Sequence, residues 1–500
     1  MGSPFAPPGG GPAHAALLAR NRGVRRVLPT LALLGALAGA AAASRPATGA
    51  ACAGAAAFGA NAAFMRNRHL HAALTAFAEE AAWQLASDVA DGHELGFEVD
   101  QAPPPGGGRT KKQREAGAFY CYRPLTAEFI DARGSVVARL PTYLPAVHAL
   151  ARSGGLEAYL GAHVARGGIP MAPRERAELA LRAFLGRVFV DSADFVLDAG
   201  RLEAAYAELE AVVTEGRAET VVVAPVLGLE LASAEVAMGD GLVLIRGEVL
   251  EDAPADAVWP RTAGLPGRAA VLAVLRSETE AGQSAPLEPA RRKLARLLTA
   301  LRLFDEAPVC IGPSAWIRTA GGPWTAMALG LDGAPPVADA PVCLITEGEE
   351  DELRAFCSLV ARRLPRSGQL AWALRRFELG CSRSQPAEAL TDHLLALRAL
   401  LEPDRSQPGL LAARVAALCS EPVERTAHAS RLVLTAGLER SLVAGVGMPE
   451  EDALTDLVDE LAADCRAILR DVLCGHLDAD LRGTADRLLA EASDGSPAIA

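Results

Sequence analysis

Five hundred residues leave room for about two to four domains, and a formal net charge of -12 argues against a protein that holds nucleic acid by attraction over its whole surface. Half of the residues are hydrophobic but only 5% are aromatic, so alanine-rich, closely packed helices are expected rather than aromatic-rich sheets. Nine cysteines are odd in number, scattered and free of C-x-x-C spacing, which argues against a disulfide framework or zinc site and for reduced, buried thiols in a cytosolic protein.

Residues 1–64 are built from Ala, Gly and Pro, contain no acid, and place Arg25 and Arg26 before the apolar run VLPTLALLGALAGAAAA. That is the outline of a secretory or twin-arginine signal. The competing reading is a segment lying ahead of a soluble protein that opens at Met65. The reduced-looking cysteines favour the second, hence a cytoplasmic location, with export as the alternative.

The region 65–216 is expected to be mainly helical. A first helix runs from Met65 to Ala90 with Leu70, Leu74, Phe77 and Trp83 inside. A Pro/Gly linker at 101–115 carries Lys111, Lys112 and Arg114 as a solvated basic tip. The string FYCYRPLTAEF holds three aromatics in four residues and is expected to dock on the helices that follow. Two more helices fill 174–216, with Leu179, Leu181, Phe184, Leu185 and Phe189 inside the first, Leu202, Tyr206, Leu209 and Val212 inside the second, and a turn within 191–200.

Composition then switches, and 217–348 reads as α+β. TVVVAPVLGLEL has the β-branched run of a buried strand, EVAMGDGLVLIRG reads as two strands about a Gly-Asp-Gly turn, and strands follow near 269–277, before and after Gly321–Gly322, and at PVCLIT, which is expected to close the sheet. Between them LEPARRKLARLLTALRLF is an amphipathic helix. Its Leu294, Leu297, Leu298, Leu301 and Phe304 share one face, leaving Arg291, Arg292, Lys293, Arg296 and Arg302 outside.

The stretch 349–492 is expected to be an all-α bundle. Its helices are marked by Leu353, Phe356 and Val360; by Leu370, Leu374 and Phe377; by Leu390, Leu394, Leu397 and Leu401 after Pro386; and by Leu411, Val415 and Leu418. A helix over 423–444 follows, with Val433, Leu434, Leu438 and Leu442 inside, and one last long helix carries Leu454, Leu457, Leu461, Cys465, Ile468 and Val472.

No Walker or dinucleotide glycine loop, G-x-S-x-G elbow, H-E-x-x-H or His/Cys cluster with ligand spacing is present, so neither cofactor nor metal is expected. The arginines 354, 362, 363, 366, 375, 376 and 383, interleaved with Trp372 and Phe377, offer a face for phosphate or an acidic partner, with Arg375 and Arg376 as binding candidates.

The string LERSLVAGV, Leu438–Val446, sets Arg440 and Ser441 before a small-residue stop at Ala444 and Gly445. It resembles the C-terminal helical domain of the HEPN superfamily, especially the Apea-like branch, where the string runs Arg-Ser, two apolar residues, His, Gly. The preceding α+β region loosely resembles the N-terminal part of Apea-like proteins. Active members cleave RNA without metal at a dimer interface, an imidazole moving the 2'-hydroxyl proton while a guanidinium meets the charge on phosphate.

Here the histidine position is Ala444, which has no proton to exchange. The resemblance thus implies an inactive HEPN-like homodimer, not inserted in a membrane, that binds RNA, a nucleotide or a protein partner through Arg440 and Ser441 in a defence or stress setting. Two alternatives stand beside it: a working ribonuclease using Arg470 and His476 of RDVLCGH, and a purely structural interaction module.

Overall fold

The computed structural model describes residues 67–102, 119–164, 168–250, 252–260, 269–283, 287–331, 333–337, 340–402, 409–444 and 449–494. Lys111, Lys112, Arg114 and everything expected of residues 1–64 lie outside them.

Helix α1 (Arg68–Ala90) is capped by Asn67, whose side chain accepts from the Leu70 N–H. Its buried stripe is Leu70, Leu74, Phe77, Ala81 and Leu85. Trp83, expected inside, is 72% exposed, because it falls midway between Ala81 and Leu85 and so points away from that stripe. The aromatic string is strand β2 (Phe119–Pro124), paired antiparallel with β1 (Phe97–Ala102), and Tyr122 stands exposed. The string runs on into the next helix, α2 (Thr126–Ala132), where its last aromatic, Phe129, is buried and docks on the helical core as expected. Helices α3 (Tyr143–Ala151), α4 (Leu156–His163), α5 (Pro173–Val188) and α6 (Ala199–Glu210) complete a helical layer around one apolar cluster containing Phe77, Tyr159 and Phe184.

A seven-stranded antiparallel sheet follows, built from β3 (Arg217–Leu227), β5 (Glu235–Gly239), β6 (Leu242–Arg246), β7 (Val271–Glu280), β8 (Cys310–Ile311), β9 (Ser314–Thr319) and β10 (Thr325–Ala328), where β4 is the short strand Leu229–Leu231. Its order is β10-β9-β3-β7-β6-β5, with β8 also paired to β3. Both faces are covered, which is why β3 reads as an unbroken apolar run rather than an alternating one. Val222, Ala224 and Val226 face helix α7 (Leu287–Phe304), while Val221 and Val223 face Ala253, Ala257 and Val258.

Gly228 separates β3 from β4 at φ +79°, where a Cβ would lie 2.1 Å from the Pro308 oxygen. The PVCLIT strand, β11 (Cys343–Ile345), does not close the main sheet: it pairs parallel with β4 in a separate two-stranded unit. The cause is the Gly228 turn, which frees β4 from the ladder so that the late strand finds its partner there.

Arg302 corrects a second expectation. It is 4% exposed, because α7 is covered by the sheet on one side and by later helices on the other: Leu297 and Leu301 join the sheet cluster, and Ala300 and Leu303 the C-terminal one. The guanidinium is held by the oxygens of Val309 (3.2 Å) and Glu378 (3.1 Å).

Beyond β11 the described chain is helical: α8 (Glu350–Arg363), α9 (Gly368–Ser382), α10 (Pro386–Leu401), α11 (Leu410–Cys419), α12 (Arg425–Ala444), α13 (Glu451–Cys474) and α14 (Leu481–Asp494). The last stretch is two helices rather than one, since Gly475 at φ +82° ends α13. Half of the register expected for α12 is off: Leu438 and Leu442 pack against the core, but Val433 and Leu434 are exposed, and His428, Leu432 and Thr435 are the buried residues. All seven described free cysteines are buried or half-buried, and burial raises the Cys357 thiol to about 12. Among the described residues, no helix is long and apolar enough to cross a membrane.

Candidate functional site

Helix α12 carries the residues singled out by the HEPN resemblance, and polar anchors at both of its ends set how it lies. Near its start His428 is clasped between α11 and α13. Near its end Glu439 takes two hydrogen bonds from Arg398 of α10, at 2.9 and 2.6 Å. In between, Arg431 forks onto Glu460 of α13. With those groups turned inward, the steps 428, 432, 435, 439 and 442 define the docked face.

Arg440 is therefore on the outer side. It is exposed, and no hydrogen bond or ion pair engages it among the described residues; Ser441 is half-buried and Ala444 exposed. Residues 445–448, including Gly445, lie outside the described chain. His428 precedes Arg440 by twelve residues on the same helix, about 18 Å at the usual rise. His393 is buried in the core, so neither stands in for the absent imidazole.

The other candidates fare unevenly. Arg375 is exposed and makes no side-chain hydrogen bond among the described residues, though its charge acts on the Glu378 carboxyl. Arg376 is held by Asp392 at 2.9 Å and lies over the Trp372 ring at 4.9 Å, so its charge is already used. Arg383 takes the other oxygen of Asp392, Arg354 and Arg363 bond the Ala237 and Leu473 oxygens, and the arginine-rich stretch is thereby largely spent on internal contacts.

Arg470 and His476 are not brought together: no hydrogen bond or ion pair joins them among the described residues. His476 lies past the end of α13, exposed, its Nδ1 3.6 Å from Asp471 Oδ1. The left-handed Gly475 turns the chain before His476.

Sequence reasoning missed a buried polar cluster in this half. Ser420, which ends α11, has Oγ 2.5 Å from His428 Nδ1, and His428 Nε2 lies 3.0 Å from Asp464 Oδ2 in the middle of α13. His428 and Asp464 are 6% and 7% exposed. The hydrogen bond that its Nε2–H gives to Asp464 holds the imidazole pKa above its ordinary value, against the opposing effect of burial. The three residues sit 8 and 36 positions apart and belong to three successive helices, so no spacing within one element signals their meeting.

A second missed network ties the N-terminal helices to the sheet. Arg187 of α5 pairs with both oxygens of Glu208, and Asp252 bridges Arg187 and Arg318 of β9. Nearby, the His163 ring meets the Ala320 oxygen at 2.8 Å, and burial lowers its pKa to about 4. Every charge in this network is matched, as befits a structural joint.

No protein-family profile, curated protein or solved structure matches the chain, so the arrangement of its own side chains carries the functional reading.

Proposed function

We propose that the C-terminal helices form a HEPN-like bundle that binds a phosphate-bearing ligand, RNA foremost, through Arg440 without cutting it, as a homodimer in the cytoplasm. One observation supports this above all. On α12 the neighbouring charges Arg431 and Glu439 are consumed by partners on other helices, whereas Arg440 is presented to the outside with no partner among the described residues. An unspent guanidinium is suited to fork onto phosphate oxygens. Ala444 beside it offers no proton for transfer, and His476, engaged with Asp471, is poorly placed to do so. Val433 and Leu434, exposed on the same helix, are the residues a second copy would cover.

The test is fluorescence anisotropy with a mixed-sequence single-stranded RNA, at several salt concentrations and without metal. Arg440→Ala should weaken binding by about tenfold, about 1.4 kcal/mol, and flatten the log–log salt slope by about one charge, at unchanged melting temperature. Equal binding by the variant refutes the site. Cleavage that disappears in His476→Ala refutes the inactivity.

A further inference from the structure

Ser420 is fixed before its side chain is considered. Its N–H donates to the Ala416 oxygen at 3.1 Å and its own carbonyl accepts from Arg425 Nε at 3.3 Å, leaving the hydroxyl facing His428. The tautomer follows from the partners. A carboxylate only accepts, so His428 Nε2 carries the proton given to Asp464, and in the neutral ring Nδ1 is the lone pair that receives the Ser420 O–H.

This is the logic of an activated serine, with the two ring nitrogens in exchanged roles relative to the usual triad. Accessibility grades in the useful direction. The base and its carboxylate are buried, Ser420 is half-buried, and Glu421, Pro422, Val423 and Glu424 beyond it are exposed. Arg425 brings a positive charge beside the serine, where an oxyanion could be met. The remaining groups facing the ring are Glu460, 4.0 Å from Nε2 and already bound by Arg431, and Cys419, whose thiol donates to the Asp464 backbone oxygen.

We infer that Ser420, His428 and Asp464 act as nucleophile, base and orienting carboxylate in acyl transfer from small activated carboxylic esters at the α11–α12 turn. Ser420 Oγ bonds to the carbonyl carbon as its proton passes to His428 Nδ1. The C–O bond to the alcohol then breaks, and the alcohol leaves with that proton. Water repeats the route and releases the carboxylic acid and free serine. Nothing in this sequence involves Arg440.

Purified full-length protein is treated with p-nitrophenyl acetate, and separately with a fluorophosphonate followed by peptide mass spectrometry. The expected result is phosphonylation at Ser420 and ester turnover that falls by at least about 100-fold in Ser420→Ala with the melting temperature kept. Turnover should rise with pH through a value above the ordinary histidine range, because only the neutral ring accepts the proton. Undiminished turnover in a folded Ser420→Ala protein, or absence of label on Ser420, overturns the inference.

Should Ser420→Ala melt early, Ser420→Cys decides. Beside His428 its thiol should be alkylated by iodoacetamide faster than the buried native cysteines, and alkylation no faster than theirs overturns the inference equally.

Discussion

His393 and His428 show how one residue type takes opposite protonation behaviour from its surroundings. His393 sits in α10 at 2% exposure, its Nδ1 without a hydrogen-bond partner, and burial, with Arg466 close by, lowers its pKa to about 4. A base depressed from about 6.5 to about 4 contributes stability that is intact above the unfolded value and lost as pH falls through that window, up to about 3 kcal/mol. His163 behaves alike. Urea midpoints should therefore drop between pH 7 and pH 4.5, and His393→Leu should shrink that drop; an unchanged pH slope would remove His393 from the account. For His428 the sign reverses. Its raised pKa means that the hydrogen bond to Asp464 favours the protonated ring, a contribution lost as pH rises through the folded value, while burial raises the Asp464 carboxyl too, so the ion pair is also lost at low pH once that carboxylate is protonated.

At the scale of elements, α9 and α12 each carry an interior glycine in opposite circumstances. A Cβ on Gly380 would lie 2.4 Å from the His393 ring, whereas nothing stands within 4 Å of one on Gly437. Gly437→Ala should raise stability by about 0.5–1 kcal/mol through helix propensity alone. Gly380→Ala should instead lower it by about 1–3 kcal/mol through overpacking. Thermal melts of the two variants check the pair, and equal signs would contradict the packing described.

The same helices mark how far local reading goes. In α10 the spacing of Leu390, Leu394, Leu397 and Leu401 gives the buried face correctly, because those four leucines lie in the core, with Asp392 and His393 buried beside them. In α12 the apolar count selects Val433 and Leu434, but the clasps at His428 and Glu439 rotate them outward. Desolvated polar partners outweigh two partly covered aliphatic side chains, and nothing within the helix announces where those partners are.

Across the whole molecule, the described residues belong to one compact unit, Met65–Ala500, and two buried joints link its layers. Arg302 links the sheet to the C-terminal helices, and its own backbone oxygen accepts from Arg466 of α13 at 2.8 Å. Asp252 links α5 to β9 through Arg187 and Arg318, both under a fifth exposed, and its carbonyl accepts from Trp324 Nε1 at 2.7 Å. Asp252→Ala leaves Arg318 without its acid, so denaturant unfolding should show a loss of about 3 kcal/mol that high salt leaves in place. A loss below about 0.5 kcal/mol would class the bridge with ordinary surface pairs.

By itself the sequence determined where helices and strands form in most of the described chain: α5, α7, α10, β3 and the Gly-Asp-Gly hairpin each follow from the spacing of their own apolar residues and turn formers. It also determined that position 444 has no proton to exchange. Only the tertiary structure decided that Arg302 and Arg376 are spent internally while Arg440 is not, that β11 joins β4, and that Ser420, His428 and Asp464 meet. The reason is one of range. Secondary structure responds to neighbours within a few residues, whereas a charge is free or engaged according to groups that folding brings from far along the chain, and no period in the sequence encodes those meetings.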